Sequence, residues 1–85
     1  MSNKIQAKKN LELVSKLADY MAKNPQAEAS IPSNASYVFF SATDKELNQA
    51  NLKLAESLAS EGKVVVKAQE SKDKTNPWKF VLFTS

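Results

Sequence analysis

Three residue types are missing from this chain, and each absence closes off some chemistry. Without cysteine there is no disulfide to stiffen the fold and no thiolate nucleophile. Without histidine there is no imidazole base. With both gone, carboxylates are the only strong metal ligands left, which effectively excludes a structural zinc site. Arginine is absent too, so all twelve basic residues are lysine. Arginine is the usual bidentate reader of guanine and phosphate, whereas lysine is a flexible point charge. A lysine-only balance suits solubility or weak anion attraction better than sequence-specific nucleic-acid readout. Glycine occurs once and proline three times, too little for a disordered chain. No stretch approaches the roughly 20 apolar residues of a membrane span. The start, MSNKIQAKKNLELV, lacks the apolar run of a signal peptide. These features, with the missing cysteine, lead us to expect a cytoplasmic protein.

What is present is ordinary for a globular chain: 42% hydrophobic and 25% charged residues, with a net charge of +3. Eighty-five residues make one domain, 1–85. A chain this short buries only about 60–65% of the surface it exposes when unfolded. Its core is therefore thin, and self-association is the expected source of extra stability.

The spacing predicts a first helix over Lys4–Lys23. Ala7, Leu11, Val14, Ala18 and Met21 recur at intervals of three and four, with Leu13, Leu17 and Tyr20 widening the stripe. Lys8, Lys9, Glu12, Lys16 and Asp19 fall on the other face, and Glu12 and Lys16 are spaced for a surface pair. Asn24 as a left-handed cap and Pro25 end the helix. A connector of 25–35 follows, with Ile31 a candidate to tuck into the core. Ser36–Ala42 holds the unbroken run Tyr37-Val38-Phe39-Phe40 and reads as the central strand. Thr43 with Glu46 reads as a capping box opening a second helix that ends at Gly62, with Leu47, Ala50, Leu54 and Leu58 as its apolar face and Leu52, Ala55 and Ala59 beside it. Lys63–Ala68 and Pro77–Thr84 are the remaining strands, joined by the polar loop Gln69–Asn76. The order αβαββ predicts a right-handed parallel crossover followed by an antiparallel hairpin. The expected fold class is α+β, a two-layer sandwich of two helices on a three-stranded mixed sheet.

The segments KNLELVSKLADYMAKNPQ, IPSNASYVFF and DKELNQANLKLAESLASEGKVVVKA, and more loosely Asn76-Pro77-Trp78-Lys79-Phe80, give the chain a resemblance. It resembles small prokaryotic proteins of the domain-of-unknown-function family 5647. That resemblance implies a fold. It implies no activity, cofactor or site residue.

Several residue groups are candidates for chemistry. Ser41 and Thr43, between a strand and a helix start, could hold an anion or phosphate on backbone N–H groups, although the turn lacks glycine and Asp44 places negative charge there. Capping by Thr43 is the plainer reading. Asn48, Gln49 and Asn51 could line a polar pocket, but a solvated helix surface is the simpler expectation. Trp78, Phe80 and Leu82 share one side of the last strand; they are core if helices cover both faces and an interface if one face is open. Lys67 and Lys79 would discourage uncontrolled edge pairing. Lys8, Lys9 and Lys16 on the first helix, together with Lys72 and Lys74 in the hairpin loop, form a candidate basic surface for nucleic acid. Interspersed Glu12, Asp19, Glu70 and Asp73 dilute it. No set of residues makes a catalytic or metal-binding group, and no cofactor is expected. The chain reads as a non-enzymatic interaction or accessory protein that forms a dimer, without a membrane role. Lysine-mediated nucleic-acid binding and small-molecule or phosphate binding are the alternatives.

Overall fold

In a computed structural model, residues 1–26 and 34–83 are described. Helix α1 spans Asn3–Lys23, strand β1 Ser36–Phe40, helix α2 Lys45–Ser60, strand β2 Val65–Glu70 and strand β3 Trp78–Leu82. The expected α+β fold, with two helices, a three-stranded mixed sheet and αβαββ order, is what the chain adopts. The expected place of Ile31 and the expected end of the last strand at Thr84 lie outside the described residues.

The helix ends follow from local chemistry. Ser2 caps α1 by accepting a hydrogen bond from the Ile5 N–H at 3.2 Å. At the other end Asn24 does not take the left-handed conformation expected of it, since its φ is −136°. It caps instead through its side chain, whose amide donates to the Tyr20 carbonyl at 2.9 Å. Gly62 does adopt φ +82°. Its N–H donates to the Ala59 carbonyl, and the Lys63 N–H to Leu58, the paired closing bonds of a Schellman turn.

The sheet order is β1-β2-β3, so β2 is central and β1 is an edge, which corrects the expectation for Tyr37–Phe40. An unbroken apolar run records burial on both faces, and an edge strand flanked by helices has that as well. β1 and β2 pair in parallel with Phe39 opposite Ala68, and β2 and β3 pair antiparallel with Ala68 opposite Phe80.

Side chains alternate along each strand, so both faces carry core. One cluster joins Leu13 and Leu17 of α1, Leu47 of α2, Ala68 and Trp78, with Phe39, Phe80, Tyr20 and Met21 packed against it. The other joins Val38, Phe40, Ala55 and Val65, with Leu58, Ala59 and Phe83 alongside.

Each helix buries only part of the apolar face its spacing favoured. On α1 the core takes Leu13 and Leu17, whereas Ala7, Leu11, Val14 and Ala18 stay exposed. Two leucines backed by Tyr20 and Met21 remove more apolar surface from water than a stripe half made of alanine. On α2 the buried line is Leu47, Asn51 and Ala55, leaving Leu52 and Leu54 at the surface.

Candidate functional site

Two features stand out: a polar junction at the carboxyl end of β1, and an apolar groove along its outer edge.

The junction is built on the turn from Ser41 to Asp44. The helix cap is Asp44 rather than Thr43: Asp44 Oδ1 accepts from the Leu47 N–H at 3.0 Å. A carboxylate is a better acceptor than a hydroxyl, and its charge suits the positive end of the helix dipole. Thr43 is left exposed. The backbone donors an anion would need are already used. Ser41 N–H donates to Asn48 Oδ1 at 2.7 Å, and Ala42 N–H to Glu70 Oε1 at 3.0 Å. Thr43 and Asp44 N–H both donate to Ser41 Oγ at 3.1 Å. Glu70 thus sits where an external anion would, with Lys16 Nζ 3.2 Å from its other oxygen. The sequence pairing of Glu12 with Lys16 is replaced by this longer-range pair.

The candidate basic surface is dispersed for the same reason. Lys16 is held by Glu70, and Lys9 Nζ lies 2.8 Å from Asp44 Oδ2. Lys8 remains exposed. The Lys9 hydrogen bond, followed by that of the Leu47 N–H, holds Asp44 below the ordinary carboxyl value of 3.8. Asp44 in turn raises Lys9 above 10.5. A depressed carboxyl stabilises the fold above its unfolded pKa and loses that contribution as pH falls through the folded one. The Lys9 contribution is present below 10.5 and is lost as pH rises past its raised value. In Asp44→Asn the cap survives but the charge does not. Its urea midpoint is expected to fall below wild type at neutral pH, and the gap to close below about pH 3.8. Denaturation curves across pH check this; a constant gap would mean the pair contributes nothing.

The amide cluster on α2 is not a solvated surface. Only Gln49 is exposed. Asn48 clasps Ser41 on both its N–H and its carbonyl. Asn51 is 0% exposed and joins three elements. Its Nδ2 donates to the Phe39 carbonyl of β1 at 2.7 Å and to Asn10 Oδ1 of α1 at 2.8 Å. Its Oδ1 accepts from Gln6 Nε2 at 2.9 Å and from Asn10 Nδ2 at 3.2 Å. The signal was in the spacing: Leu47, Asn51 and Ala55 are four apart, so an amide stands inside an apolar line. Nothing local pointed to Glu70, which reaches the turn from 28 residues away.

Above Asn51 lies the groove, about 370 Å³, walled by Ala7, Leu11 and Val14 of α1, Tyr37 and Phe39 of β1, and Leu54 of α2. Leu11 is 68% exposed, the largest value among the exposed large hydrophobic residues. The aromatic set on β3 divides. Trp78 is core at 7% exposed, its ring edge-on to Phe39 at 6.1 Å; Phe80 is half-buried; Leu82 is open at 60%. Trp78 is therefore not a surface residue, and Lys79 stands exposed beside it. Lys67 is half-buried, its ammonium 4.7 Å from the centre of the Phe40 ring.

These features describe a small α+β domain with a hydrogen-bonded polar junction at the end of β1 and an apolar groove beside that strand. The chain belongs to the family of unknown function DUF5647, whose model matches residues 5–77. Neither the curated proteins nor the solved structures contain a match to it. Among the described residues, no helix is long and apolar enough to cross a membrane.

Proposed function

We propose that this is a non-enzymatic interaction protein of the cytoplasm that self-associates, most simply as a dimer. The observation that carries this reading is the groove: Leu11, Val14 and Leu54 lie open around an apolar trough, and each keeps 40% or more of its surface. Contiguous exposed apolar surface of this kind marks interaction sites. The thin core of an 85-residue chain supplies a second reason, since burying that surface between copies adds stability the monomer lacks.

The geometry weighs against the alternatives. An anion at the Ser41–Asp44 turn would have to displace Glu70 and the Ser41 hydroxyl from backbone donors they already hold. Nucleic acid would find two of the three candidate lysines, Lys9 and Lys16, engaged with carboxylates.

Light scattering on the purified protein at micromolar concentration tests the proposal. The expected mass is twice the 9.4 kDa of the chain. A monomer across the micromolar range sinks it.

A further inference from the structure

We infer that the groove is covered by α1 of a second copy, laid antiparallel to the first. The inference rests on the self-association proposed above and specifies its surface.

The exposed residues of α1 have the spacing of a helix-pairing seam. Ala7, Leu11, Val14, Ala18 and Met21 repeat at four, three, four and three residues, the a/d pattern of paired helices. The monomer uses only its last member: the core takes Leu13 and Leu17 with Met21 packed against them, and Ala7, Leu11, Val14 and Ala18 all face solvent. A helix carrying one apolar stripe for its own core and a second at seam spacing is suited to a like helix.

The flanks of the seam give the direction. At about 100° per residue, Lys8, Ser15 and Asp19 fall to one side of Leu11, and Val14 and Asn10 to the other. The second side opens into the groove with Tyr37 and Leu54. A two-fold axis along the helices would lay the charged flank of each copy over the apolar groove of the other. A two-fold axis perpendicular to them sets like flank against like flank. The two grooves then merge into one apolar strip and the polar flanks form its rim. With Ala7 opposite the partner's Ala18 and Leu11 opposite the partner's Val14, Lys8 lies within about 3 Å, along the axis, of the level of the partner's Asp19. Opposite charges meet twice across the axis, and the two helix dipoles oppose.

The chain has no cysteine, so introduced thiols report position without background. Protein carrying Ala7→Cys, mixed with protein carrying Ala18→Cys, is expected to form a disulfide-linked pair under mild oxidation, and neither protein alone should do so. Cross-linking of Ala7→Cys with itself would overturn the antiparallel arrangement. Leu11→Glu is expected to abolish the dimer while leaving the far-UV circular dichroism unchanged, because this side chain lies outside the core. Leu82→Glu, on the open end of β3, is expected to leave the dimer intact. If wild type is a dimer and Leu11→Glu remains one, this surface is wrong and self-association stands. A monomeric wild type removes both.

Discussion

Replacing Asn51 with alanine is expected to lower the melting temperature by about 10–20 °C, a large effect for one amide. The side chain is wholly buried and uses both its donors and its acceptor oxygen. Truncation strands the Phe39 carbonyl and the Asn10 and Gln6 amides, and each buried polar group left unpaired costs about 1–3 kcal/mol before relaxation. Water entering from the groove above recovers part of that, so the net loss is about 2–3 kcal/mol. Thermal melts followed by circular dichroism check it, and a shift under about 4 °C would mean the network is dispensable. Asn51→Asp gives a sharper signature. A carboxylate there faces the Phe39 carbonyl and Asn10 Oδ1 with no hydrogen to donate. The group is folded most easily when protonated, so its pKa rises on folding. The variant should then gain stability as pH drops from 7 toward 4, a window above the range, below 3.8, in which Asp44 loses its contribution.

Asn51 also shows where the sequence stops being legible. Element order and type could be read because their signals are local: Asn24-Pro25 ends α1, Gly62 ends α2, and runs of Val, Phe and Tyr mark the strands. The parallel crossover and the hairpin followed from that order. Choices between near-equal local options could not be read. Thr43 and Asp44 are both good caps, and the decision went to Asp44 because Lys9, 35 residues away, completes its charge. α1 carries two apolar stripes, and only the presence of Trp78 and Ala68 beneath Leu13 and Leu17 decides which one is core. Strand order has the same origin, since Tyr37–Phe40 would look alike at an edge or a centre once helices lie over it. The candidate site inherits this ambiguity: Ala7, Leu11 and Val14, left out of the core, are the residues of α1 that wall the groove.

Trp78→Ala is expected to unfold most of the protein at room temperature or to lower its melting temperature by about 15–30 °C. Trp78 belongs to the cluster that ties α1 and α2 to the last strand. Its ring meets Phe39 edge-on at 85° between planes, the favoured arrangement for an aromatic pair. Large aromatic truncations in a core cost about 3–5 kcal/mol. A domain of 85 residues has only about 4–13 kcal/mol in total, so this one change removes roughly a quarter of it at the least. Trp78→Phe keeps an edge contact and most of the burial, and its loss should be about half as large. Circular dichroism is the proper readout, because the only tryptophan is itself removed. The variant also separates the two roles open to this residue. If Trp78 were the contact point between copies, Trp78→Ala would stay folded and turn monomeric. If it is core, as its burial places it, folding is lost first, whereas Leu11→Glu is expected to lose the proposed dimer and keep the fold.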